Sequence, residues 1–131
     1  MFSKSLVSIL VMIFSSLAHA AEWRLVGENS ATAFYFDKSS IKKVDGYIYY
    51  WSLVDVKSLD TEWKSALAYR KADCDIDRYQ MLTLAFYEGS MGKGEQLGSD
   101  EISPEWSYML PDSIDLLAHN NVCDLADMLV D

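Results

Sequence analysis

The clearest stretch in the hydrophobic pattern is YIYYWSLVDV at Tyr47–Val56, ten residues in which aromatic and β-branched side chains fill most positions. Alternation puts Tyr47, Tyr49, Trp51 and Leu53 on one side and Ile48, Tyr50, Val54 and Val56 on the other, so both sides are apolar. A strand with one wet face alternates with polar residues. This one therefore predicts a central antiparallel strand covered on both faces, by a helix, a loop or a second copy of the chain.

Shorter runs flank it. WRLVGE at Trp23–Glu28 and ATAFYFD at 31–37 read as two strands joined by a tight turn at Asn29-Ser30. The polar KSSIKKVDG at 38–46 reads as a loop ending in Asp45-Gly46, a turn dipeptide that delivers the chain into the central strand. WKSALAYRKADC at 63–74 reads as the next strand, although its Ala, Lys and Arg would also suit a helix. RYQMLTLAFYE at 78–88 is expected to pair with it, presenting Tyr79, Met81, Thr83, Ala85 and Tyr87 on one face. The glycines at 89, 92, 94 and 98 mark the most flexible segment and the expected binding loop, with room for a short edge strand at 95–98. Pro104 and Pro111 bracket a rigid corner in which Trp106 is expected to close one end of the core. One helix is predicted after residue 112, capped by Asp112 or Ser113, with Ile114, Leu117, Ala118 and Val122 on its buried face and His119 on the wetter side.

The N-terminus decides the compartment. Residues 1–20 carry one positive charge at Lys4, an apolar run over 6–17 and the small-x-small pattern Ala18-His19-Ala20, which predicts a signal peptide cut between Ala20 and Ala21. The run is shorter than the ~20 residues that cross a bilayer core, and no later stretch is longer. Residue 21 is Ala rather than Cys, which leaves no sulfur there for a lipid anchor. The expected product is one domain, 21–131. Cleavage removes a single basic residue and no acid, taking the net charge from −9 to −10 and arguing against nucleic acid or anionic lipid as partners.

Both cysteines, Cys74 and Cys123, fall in the exported part, and an even count in an oxidising compartment predicts one disulfide. The competing uses are a thiol pair, a redox centre or a metal site. A redox pair ordinarily lies two residues apart, and one histidine with two cysteines distant in sequence makes a poor ligand set. No cofactor and no metal are expected. His119 is the one histidine left after cleavage, and without a positioned nucleophile it makes no triad. Asp73, Asp75 and Asp77 alternate like the start of a calcium loop, but its sixth and twelfth positions hold Arg78 and Leu84, so a solvated acidic turn is the better reading. The glycines around Lys93 lack the spacing of a phosphate loop. Trp23, Trp51, Trp63 and Trp106 could stack on a sugar or peptide, though strands also use aromatics for cross-strand pairing. Lys38, Lys42 and Lys43 read as a charged cover for a sheet edge.

The order of these fragments resembles a known family. Trp23-x-Leu25-Val26, Phe34-Tyr35-x-Asp37-x-x-Ser40-Ile41, Gly46, the Trp51 strand with Leu53-x-Asp55, Ser65 and Asp73-Cys74 are similar to the surface-adhesin protein E family. So are Arg78-Tyr79, Tyr87, Gly92-x-Gly94-Glu95, Ser103-Pro104-x-Trp106, Pro111-x-Ser113 and Val122-Cys123, and together they cover nearly all of 22–123. The resemblance implies an α+β fold: an antiparallel sheet of about six strands with one C-terminal helix packed on it and a single disulfide joining Cys74 to Cys123. It also implies an exported, non-enzymatic bacterial protein that binds host matrix or serum proteins. The alternative is a periplasmic envelope factor that uses the same scaffold on a bacterial ligand. A homodimer covering one face of the Tyr47 strand is a further expectation.

Overall fold

The computed structural model describes residues 20–58, 60–102 and 105–129. The expected signal peptide, apart from Ala20, lies outside them, as does Pro104. In chain order come β1 (Trp23–Glu28), β2 (Thr32–Asp37), β3 (Lys42–Val44), β4 (Tyr47–Val56), β5 (Ser65–Asp73), β6 (Arg78–Tyr87), β7 (Gln96–Glu101), β8 (Ser107–Tyr108) and α1 (Ile114–Ala126). Every strand pairing is antiparallel, in the order β1-β2-β4-β5-β6-β7, with β3 beside the start of β4 and β8 beside the start of β6.

Local chemistry sets the reversals. The Asn29 side-chain oxygen accepts from the backbone N–H of Ala31 at 2.8 Å and of Thr32 at 2.9 Å, which turns β1 into β2. Asp45 and Gly46 hold φ of 52° and 82°, the two consecutive positive values a tight hairpin needs, and they bring Val44 opposite Tyr47. The polar segment before them is thus a strand as well as a turn. All three residues of β3 are exposed, so it buries no face and leaves no alternation in the sequence.

β5 is a strand and not a helix, because β4 and β6 pair with it on both sides. Between Tyr69↔Thr83 and Arg70↔Met81 the register slips by one, leaving Leu82 as an extra residue in β6. The expected single face of β6 is therefore split: Tyr79 and Met81 lie on one side of the sheet, and Thr83, Ala85 and Tyr87 on the other.

α1 begins at Ser113, whose hydroxyl accepts from the Leu116 N–H at 3.1 Å. It packs against β1, β2 and β4, and Val122 and Ala126 join Phe36, Ile48, Tyr50 and Ala72 in the core. Its buried residues are Ala118, His119, Val122 and Ala126, while Leu117 is 49 % exposed. The expected face was thus rotated too far, for a physical reason. The disulfide between Cys74 and Cys123 turns Cys123 toward the end of β5, and His119, one helical turn earlier, turns in with it.

Tyr50 is fully buried beside Arg70, and its hydroxyl meets no partner in good hydrogen-bond geometry. Burial pushes its pKa above the usual 10.0, with the nearby Arg70 charge opposing. The unfolded chain then loses this proton at a lower pH than the folded one, so stability is lost as pH rises through about 10. Tyr50→Phe is expected to be neutral or to stabilise by about 1 kcal/mol at pH 7, because it removes an unsatisfied polar atom. It should also flatten the alkaline limb of melting temperature against pH; a loss of more than about 1 kcal/mol at neutral pH would show that the hydroxyl is bonded after all.

Candidate functional site

α1 covers one face of the sheet, the face of Ile48, Tyr50, Ala68 and Ala72. The side chains that alternate with these point the other way. One end of that second face is closed by the glycine-rich segment, which is a pinned turn and not the flexible loop its composition suggested. The Gly92 N–H donates to the Ser65 hydroxyl at 2.8 Å, this hydroxyl donates to the Gly89 carbonyl at 2.6 Å, and the Met91 N–H donates to Asp55 Oδ1 at 3.0 Å. Gly92 has φ +72°, and a Cβ there would stand 2.7 Å from Leu67 Cδ1. The edge strand that follows runs over Gln96–Glu101, longer than the expected 95–98.

The rest of this face carries an aromatic strip that α1 does not cover. Trp51 packs on Tyr69 at 4.8 Å between ring centres, and Tyr69 on Tyr49 at 6.1 Å. Tyr47 packs on Trp106 at 5.7 Å. Trp106 therefore does not close the core as expected; it stands over the face opposite the helix. Cations link the rings. Lys71 Nζ lies 4.2 Å from the centre of Tyr47, 5.6 Å from Trp106 and 6.0 Å from Tyr49, and Arg78 Cζ lies 4.1 Å over Trp106. Lys42, opposite Tyr49 in the β3–β4 pairing, reaches that ring at 5.9 Å. The strip residues are each half-buried by one another, so its expected covering is partly self-made.

Sequence reasoning found the aromatics of β4 but not Lys71 or Arg78. Lys71 stands beside the rings through cross-strand register, which pairs Tyr49 with Lys71 and Trp51 with Tyr69, and Arg78 through the placement of Trp106 over this face. Of the other tryptophans, Trp63 packs on Phe86 at 5.0 Å and Trp23 opens β1.

Asp73 anchors Arg78: its Oδ2 accepts from Nε at 3.0 Å, and its Oδ1 accepts from the Asp75 N–H at 3.1 Å. Burial works against its charge, but the Arg78 and backbone hydrogen bonds prevail and hold its pKa below the usual value. The expected acidic turn is therefore an anchor for the strip. Near the other end of that turn, Asp77 Oδ1 lies 3.4 Å from Nε2 of His119. Contrary to expectation, His119 is fully buried, and neither ring nitrogen makes a hydrogen bond. Burial lowers its pKa, with Asp77 opposing. Cys74, Cys123 and His119, too distant in sequence to suggest a cluster, place one sulfur, one sulfur and one nitrogen within 4.8 Å of one another. Elsewhere, a shallow groove of about 390 Å3 between β1 and the end of α1 is lined by Arg24, Phe36, Lys38, Asp124 and Leu125, a mixture of both charge signs.

A helix strapped by a disulfide to one face of an antiparallel sheet, with an aromatic and cationic strip on the other, makes a small domain of the α+β class. The chain belongs to the surface-adhesin protein E family, whose family model matches residues 23–124. No curated protein matches it in sequence. Among solved structures, Haemophilus influenzae protein E in crystal form II is similar with a TM-score of 0.64 at 16 % identity, over 80 % of this chain and 89 % of that one. Protein E from non-typeable Haemophilus influenzae is similar with a TM-score of 0.60 at 15 % identity, over 78 % and 75 %. At such identities the likeness is one of fold. Among the described residues, no helix is long and apolar enough to cross a membrane.

Proposed function

We propose that this is an exported, non-enzymatic bacterial binding protein. Residues 1–20 direct export and are removed after Ala20, and residues 21–131 engage a host matrix or serum protein through the strip of Tyr47, Tyr49, Trp51, Tyr69 and Trp106. The observation that carries the reading is this strip: rigid aromatic rings, backed by the sheet and interleaved with Lys71 and Arg78, on a face that α1 leaves open. Aromatic and arginine side chains dominate the binding energy of protein interfaces, because they bring large contact area at low entropy cost. Family membership supports a protein partner over a small molecule.

The test is binding of purified 21–131 to immobilised matrix and serum proteins, with Trp51→Ala and Lys71→Glu beside the parent. Central aromatics of such interfaces are worth about 2 kcal/mol or more, so Trp51→Ala is expected to weaken binding about 30-fold. Equal affinity in both variants would remove the strip as the contact surface. Absence of binding to any matrix or serum protein, with the tagged chain protected from protease on intact cells, would favour an envelope factor acting inside the periplasm. A dimer in solution that is lost on Lys71→Glu would instead assign the strip to a second copy of the chain.

A further inference from the structure

We propose that opening the Cys74–Cys123 disulfide converts its surroundings into a binding site for a borderline-soft divalent cation of the zinc class, held by both sulfurs and an imidazole nitrogen of His119, with Asp77 beside the ring. Three observations converge. The ligand atoms of Cys74, Cys123 and His119 already lie within 4.8 Å of one another. His119 has no exposed surface and hydrogen-bonds through neither nitrogen, an arrangement native proteins rarely leave without a purpose. Asp77 Oδ1, 3.4 Å from Nε2, is the kind of carboxylate that orients a metal-ligating imidazole.

The geometry is close to what such an ion needs. Tetrahedral zinc with Zn–S of about 2.3 Å and Zn–N of about 2.0 Å sets its ligand atoms roughly 3.5–4 Å apart. The cysteine Cα atoms stand 6.0 Å apart, and His119 and Cys123 share one face of α1 a turn apart, so side-chain rotation closes the site. Two thiolates and an imidazole are a donor set that prefers zinc to calcium or magnesium. Asp77, in the exposed turn after Cys74, orders the ring through Nε2, and that turn gives the ion a path from solvent.

The redox step balances with a dithiol donor. The donor gives two electrons and two protons to the S–S bond and leaves as its own disulfide, and the entering cation displaces both thiol protons. In vitro a phosphine replaces it, taking oxygen from water. The protein thus has two exclusive states at one place, disulfide or metal.

The experiment titrates the mature chain, oxidised and phosphine-reduced under nitrogen, with Co2+ and then Zn2+. Reduced protein with unchanged far-ultraviolet circular dichroism is expected to take up a single Co2+ with the visible absorption of a tetrahedral, thiolate-bound ion, while oxidised protein takes up none. Zn2+ should bleach the colour and raise the melting temperature of the reduced form alone. Asp77→Asn, at an exposed position, is expected to bind about 10–100-fold more weakly, and His119→Gln to lose the tetrahedral spectrum. Absence of a coloured complex, uptake only by an unfolded chain, no rise in melting temperature with Zn2+, or parental affinity in both variants would each overturn the proposal. If His119→Gln fails to fold, Asp77→Asn decides.

Discussion

Replacing both cysteines, Cys74→Ser with Cys123→Ser, is expected to lower the melting temperature by about 10 °C or more. The two positions are separated by 49 residues, and a cross-link closing a loop of that length removes about 4 kcal/mol of chain entropy from the unfolded ensemble. Beyond His119 the far end of α1 is otherwise held by Val122 and Ala126, which are buried in the core, and by Leu125 packed against it. Without the link, residues 119–126 should exchange their amide protons faster than β4 and β5. A serine hydroxyl can bond a His119 nitrogen that lacks a hydrogen bond, which would return about 1 kcal/mol and make the loss smaller than the entropy figure. Wild-type protein melted with a phosphine should fall slightly below the double variant, because a thiol is a weaker hydrogen-bond partner for the imidazole than a hydroxyl. Equal melting with and without reductant would show that the disulfide is not what fixes the helix to the sheet. With the usual 5–15 kcal/mol of total stability, the reduced chain stays folded at room temperature, as the proposed metal site requires.

Much of the sheet was legible from residue pattern. β4 runs over the same ten residues that the sequence marked, because aromatic and β-branched side chains at most positions suit a strand, although its Tyr47–Trp51 face is half-buried rather than covered. The antiparallel sheet with one C-terminal helix and a Cys74–Cys123 link is the fold that the family resemblance implied. What escaped notice depends on contacts far apart in sequence. β3 has no buried face. The extra residue Leu82 in β6 breaks a two-residue period that still looks regular in the sequence. His119 is inside because a cysteine four positions later is tied to β5, a signal that was present in the spacing of 119 and 123 and outweighed by the polarity of histidine. The strip was half visible: Tyr47, Tyr49 and Trp51 could be read from alternation, whereas Lys71 and Arg78 join them only through register and the fold of the 106–108 segment.

Arg70→Ala is expected to destabilise the protein by about 3–5 kcal/mol, and Arg70→Met by much less. Arg70 is 5 % exposed in the middle of β5, under the first turn of α1. Its guanidinium lies between the rings of Phe34 and Tyr79, at 5.4 and 4.7 Å from their centres. Nε donates to the Ser52 hydroxyl at 3.1 Å, and Nη1 pairs with Asp115 Oδ1 at 3.2 Å. Truncation to Ala leaves a hole between two rings beneath the helix and removes both hydrogen bonds. Neither remaining partner is stranded. The Ser52 hydroxyl still donates to the Ala68 carbonyl, and the Asp115 side chain, 41 % exposed, can take up water. The loss is then mostly packing, which the long, unbranched Met can restore. Asp115→Ala is different, since it leaves a buried guanidinium without its carboxylate; water at the open side of the pair should limit the cost to about 1–3 kcal/mol. Denaturant melts of the three variants test the order. If Met is as damaging as Ala, charge and not volume holds this corner of the core. If Asp115→Ala matches Arg70→Ala, the pair is sealed from water more tightly than its exposed carboxylate implies.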